Sequence, residues 1–83
     1  MRTQRLLRRI ITAPNNVRFE EMVRLVEAFG FRLIRTSGSH HIFGRTGIAE
    51  QLNLQRVNGR AKPYQIRQFL KIVERYNLTL LQP

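Results

Sequence analysis

The stretch Phe29-Gly30-Phe31-Arg32-Leu33-Ile34-Arg35-Thr36-Ser37-Gly38-Ser39-His40-His41-Ile42-Phe43 decides the fold. Up to Phe29 the apolar residues recur at three- and four-residue spacing; after Gly30 they alternate, so the period changes from helix to strand at one glycine. Phe31, Leu33 and Arg35 alternate with Arg32 and Ile34, which predicts a short strand. Thr36-Ser37-Gly38-Ser39 has the composition of a turn, and His40 to Phe43 predicts the returning strand. The pair reads as a hairpin, ended by Gly44-Arg45-Thr46-Gly47.

On the N-terminal side, Phe19, Met22, Val23, Val26 and Phe29 share one helical face. Glu20 and Glu21 suit the positive end of the helix dipole, and Gly30 suits a left-handed cap, which predicts a helix over about 18–29. Earlier still, Leu6, Leu7, Ile10 and Ile11 face away from Arg2, Arg5, Arg8 and Arg9, predicting a short amphipathic helix before the connector Ala13-Pro14-Asn15-Asn16. On the C-terminal side, Leu52 and Leu54 alternate with Asn53 and Gln55, predicting a third strand from Leu52 to Val57 closed by Asn58-Gly59. Pro63 opens a last helix, with Ile66, Phe69, Leu70 and Val73 inward and Gln65, Arg67, Gln68, Lys71, Glu74 and Arg75 outward. The expected class is α+β: an α-β-β-β-α core whose three-stranded antiparallel sheet carries helices on one face, plus an N-terminal helix. One domain is expected over 1–83, with 1–16 as the helical extension and 17–80 as the core.

Composition narrows the function. Eighty-three residues with 42% hydrophobic content support one thin core and no second module. The absence of cysteine removes disulfide scaffolds, cysteine-ligated zinc and thiol catalysis. No apolar run is long enough to span a bilayer, and the N-terminus mixes Leu and Ile with Arg where a signal peptide would be apolar, so a cytoplasmic location without membrane contact is expected. Fifteen basic residues, thirteen of them Arg, against five acids give a net charge of +10. That field calls for an anionic partner, and guanidinium forks suit phosphates. All five acids are Glu, and only Glu20 and Glu21 adjoin, which argues against the paired carboxylates of two-metal nucleases and glycosidases.

The segments Gly30-Phe31-Arg32-Leu33-Ile34-Arg35, Gly38-Ser39-His40-His41-Ile42-Phe43 and Lys62-Pro63, the last opening a helix with Ile66 and Leu70, resemble the HicA toxin family over roughly Phe19 to Leu78. The resemblance implies a fold like that of double-stranded-RNA-binding domains. It also implies a ribosome-independent endoribonuclease acting on messenger RNA, neutralised by a HicB antitoxin. The family's Gly-x-His pattern falls on His40; members with His one place later leave His41 as the alternative. Leu52-Asn53-Leu54-Gln55 departs from the family, whose third strand is commonly rich in Val and Pro, and so does the N-terminal segment.

Metal-free RNA cleavage proceeds by attack of a 2′-hydroxyl on the adjacent phosphorus and needs a base near neutrality, the ordinary range of histidine. His40 and His41 are neighbours on a strand and point to opposite faces, so only one can serve a given phosphate. Gly38 and Ser39 either let backbone amides approach a phosphate or simply make the turn. Arg35, Arg45, Lys62 and Arg67 are candidate RNA contacts, with Arg32 and Arg56 beside them. No metal or cofactor is expected. Water, Tyr64 or Lys62 is left as the second proton-transfer group. The rival reading is a non-catalytic module of the same fold that binds RNA or a protein partner.

Overall fold

The computed structural model describes residues 2–81, so the outermost positions of the 1–83 span lie outside it. The order is α1 (Arg2–Thr12), α2 (Phe19–Ala28), β1 (Arg32–Ser37), β2 (His40–Gly44), β3 (Leu52–Val57), β4 (Arg60–Ala61) and α3 (Pro63–Arg75). The sheet is antiparallel in the order β1-β2-β3-β4, so the expected α+β core is present with one short strand added. That strand follows from Asn58-Gly59, whose φ values of 51° and 76° are the two positive angles a two-residue type I′ hairpin loop demands. Val17 and Arg18 lie along the outer edge of β4. The Val17 carbonyl accepts from the Ala61 N–H, and the Gly59 carbonyl accepts from the Phe19 N–H.

α2 stops where the sequence changes period. The Gly30 N–H donates to the Glu27 carbonyl and the Phe31 N–H to the Val26 carbonyl, a Schellman cap that needs the +89° φ of Gly30. Phe29 and Phe31 flank this cap and both meet Phe69 of α3 edge-on, with centroids 5.5 and 5.6 Å apart. Around them lie Met22, Leu25 and Val26 of α2, Phe43, Leu52 and Leu54 of the sheet, and Ile66 of α3, all buried. α1 joins the same core through Ile10, which is fully buried. Glu21 ties α1 to α2: its carboxylate accepts from the Arg18 N–H and pairs with Arg9.

One helix position differs from the pattern. Gln65, expected on the outer face of α3, is buried, and its Oε1 accepts from the Gln55 N–H at 2.8 Å. β4 ends at Ala61, and the Gln55 amide on that side of β3 has no strand opposite it. A buried amide without an acceptor is costly, so the side chain turns inward to satisfy it.

β1 also departs from simple alternation. Leu33 faces Phe43 and Arg35 faces Ile42, so a bulge at Ile34 inserts one residue. Strict alternation would place Arg35 on the face of Leu33, toward the helices. The bulge moves it to the opposite face, in line with Ile42 and His40.

Candidate functional site

Two faces of the sheet have different fates. Phe43, Leu52 and Leu54 point to the helices and are buried; Asn53 is exposed, and His40, Ile42 and Gln55 are half-exposed on the other side. The β1–β2 loop is Gly38-Ser39 alone, with Gly38 at φ +59° and Ser39 in the ordinary range, the pattern of a type II′ turn. Among the described residues, apart from its two chain neighbours, no atom lies within 4 Å of where a Gly38 side chain would begin, so the backbone angle demands the glycine.

This turn delivers His40 to the open face, opposite Ser37 on β1 and Gln55 on β3. The His40 Nδ1 lies 3.0 Å from Asn53 Oδ1. An amide oxygen only accepts, so the contact places the hydrogen of the neutral ring on Nδ1 and leaves the Nε2 lone pair to take a proton. Gln55 Nε2 donates to Ser39 Oγ at 3.3 Å, bracing the loop against β3 and leaving the Ser39 hydroxyl hydrogen available to a ligand. Asn53 and Gln55 were legible in the sequence only as the polar side of a strand. Their role comes from antiparallel pairing, which sets β3 beside β2.

His41 goes the other way. Its ring tilts against Phe19 with centroids 4.7 Å apart, and its Nδ1 donates to the Ser39 carbonyl at 3.1 Å. Arg56, also on this side, lies 5.0 Å over the Phe19 ring and pairs with Glu20. The two histidines therefore occupy opposite faces, as their adjacency requires.

The predicted contacts separate in the same way. Gly38, Ser39 and Arg35 gather around the open face with His40. Arg45 does not: it lies against Gly30 and donates to the Phe29 carbonyl at 2.8 Å, holding the β2 exit to the end of α2. Lys62 caps the head of α3, its ammonium 5.9 Å from the Tyr64 ring centre, and Arg67 projects from the exposed side of α3. Among the described residues no three His, Asp, Glu or Cys side chains assemble as a metal-ligand group. No helix among them is long and apolar enough to cross a membrane.

A helical pair on one face of an antiparallel sheet defines a small α+β domain whose fold is like that of double-stranded-RNA-binding domains. Residues 19–74 match the family described as HicA toxin of bacterial toxin–antitoxin. The match covers more than half of the chain, which therefore belongs to the HicA toxin family. Neither the curated proteins nor the solved structures provide a match.

Proposed function

We propose that this HicA-family chain is the endoribonuclease of a toxin–antitoxin pair, cutting messenger RNA in the cytoplasm, independently of the ribosome, with His40 as the proton-transfer group. The observation that carries this reading is the His40–Asn53 contact, which leaves Nε2 as the basic nitrogen on the open, half-exposed face of the sheet. In the proposed step Nε2 takes the 2′-hydroxyl proton, the 2′-oxygen bonds to phosphorus, and the bond from phosphorus to the 5′-oxygen breaks. The leaving 5′-oxygen receives a proton from water, which reaches the exposed face freely. The Ser39 hydroxyl and Arg35 supply donors to the phosphate as its charge builds. A HicB-like antitoxin is the protein partner in this reading, and residues 1–83 act as one unit with 1–16 as its helical extension. No step in it calls on a metal or cofactor.

The test is a cleavage assay in EDTA with mixed RNA, run with the wild type, His40→Ala and His41→Ala. The wild type cuts; His40→Ala loses about 10²- to 10⁴-fold, the usual worth of a general base. His41→Ala retains the chemistry and loses stability, because its ring packs on Phe19. A wild-type protein that binds RNA and never cuts it is instead a non-catalytic binding module.

A further inference from the structure

Away from the open face, α1 and α2 form a cleft of about 440 Å³ lined by Arg2, Thr3, Arg5, Leu6 and Arg9 of α1 and Arg24 of α2. Four arginines thus border one space whose lining, among the described residues, contains no acid. Glu21 of α2 is committed to Arg9 and to the Arg18 N–H. Among the described residues Arg2, Arg5 and Arg24 form no ion pair, although Glu20 and Glu27 stand one turn either side of Arg24 on α2. Arg9 has Glu21 as its counter-ion, whereas the convergence of Arg2, Arg5 and Arg24, which form no ion pair among the described residues, is unfavourable in the isolated protein and becomes favourable when an anion enters.

We infer that this cleft is a second nucleic-acid site, which holds the phosphodiester backbone of RNA. Two observations select that ligand, and the chemistry of arginine is compatible with it. Arg2 and Arg5 recur at i and i+3, a row rising about 4.5 Å along the helix axis with Arg24 of α2 on the same cleft, while Arg9, one turn further on, is held by Glu21 and the Asn16 carbonyl. A row of donors suits a polymer of phosphates better than a single one. The guanidinium fork meets phosphate oxygens two at a time. Among the described residues Leu6 is the only apolar side chain in the lining, whereas a specific protein interface has an apolar centre. Such a centre exists on the other flank of α1, where Leu7 and Ile11 face Phe29, Val73, Leu78 and Leu80. The helix thus carries two distinct surfaces, and the arginine flank is the polyanion one.

This site does not depend on the cleavage reading. It lies on the helix side of the sheet, and His40 lies on the opposite side. An RNA segment here is held apart from any bond reacting at His40. Three of the four arginines precede residue 19, where the family match begins.

The experiment titrates a fluorescent 2′-O-methyl RNA, which no 2′-hydroxyl attack can cut, with wild type and with Arg5→Ala/Arg24→Ala at several salt concentrations. Arg9 is left intact because it braces Glu21. Single-strand binding loses about 0.7 in log–log salt slope per phosphate contact. The double variant is therefore expected to show a slope shallower by about 1.4, with weaker binding on every sequence tried. Arg8→Ala/Lys71→Ala removes the same net charge outside the cleft, and its slope stays close to wild type. Equal losses in both variants, or none in the cleft variant, overturn the inference. So does a polyglutamate of matched charge that binds as tightly as the RNA through the same arginines, since the cleft then has no preference for phosphate. Failure of cleavage in the EDTA assay leaves all of these readouts unchanged.

Discussion

Asn53 is the residue on which the proposed chemistry of His40 turns. Without its amide oxygen beside Nδ1, the neutral imidazole is free to place its hydrogen on either nitrogen, and Nε2 loses its assignment as base. Asn53→Leu is expected to lower kcat by up to about a hundredfold while KM stays unchanged, the signature of misplaced reacting groups. The ring ¹⁵N spectrum of His40 then shifts toward a mixture of tautomers. An unchanged spectrum with reduced kcat would assign Asn53 another role. The opposed placement of the two histidines was legible from their adjacency, because strand side chains alternate. The choice between them by surroundings was not, since Phe19 and Asn53 are distant in sequence and meet their histidines only in the folded chain.

Two elements depend on single positions, one of which local pattern reads correctly and one of which it does not. The β1–β2 turn requires φ +59° at residue 38 and has open space around it, so Gly38→Ala introduces backbone strain and no clash. The expected loss is about 1–2 kcal/mol in urea unfolding. A synthetic chain carrying D-alanine in place of Gly38 should regain it, because the mirror-image residue accepts that angle. In α3, Gln65 belongs by spacing to the outer surface and by structure to the core. Gln65→Leu leaves the Gln55 amide without its acceptor and should cost about 1–3 kcal/mol, measured by urea or thermal unfolding. Gln65→Glu keeps an oxygen there and separates loss of the acceptor from loss of packing. The bulge at Ile34 belongs to the same class: composition predicts the strand, and only its partner β2 reveals the extra residue.

For the whole molecule, the acids join elements across a strongly basic chain. Partial burial would raise the Glu21 carboxyl, but the Arg18 N–H and the Arg9 guanidinium outweigh it and hold the group below the ordinary 4.5. Glu50 is also lowered, chiefly by the Tyr76 hydroxyl, with burial opposing and Arg75 reinforcing, and it ties the β2–β3 connection to the end of α3. A depressed carboxyl binds its proton more readily in the unfolded chain. Its contribution is therefore complete above about pH 4.5 and is lost as pH falls through the lower folded value. Urea midpoints are expected to hold from pH 7 to about 5 and then fall, and Glu21→Gln should fall less steeply. Equal slopes would show that the α1–α2 tie does not contribute to acid unfolding.

Element types other than β4, the helix-to-strand change at Gly30, the hairpin turn at Gly38 and the positive field follow from residues close in sequence or from simple sums, and the chain alone determined them; Asn58-Gly59 was legible only as the end of β3. Their physical causes are local: periodic burial, the positive φ accepted by Gly and Asn, and net charge. Tertiary structure alone decided that Gln65 turns inward, that Arg35 faces out with His40, that Arg45 holds a backbone carbonyl, and that α1 and α2 bring four arginines around one cleft. Each of these depends on what another segment leaves unsatisfied or uncovered, a β3 amide, a strand register or a helix flank. That partner is absent from any local stretch of the sequence.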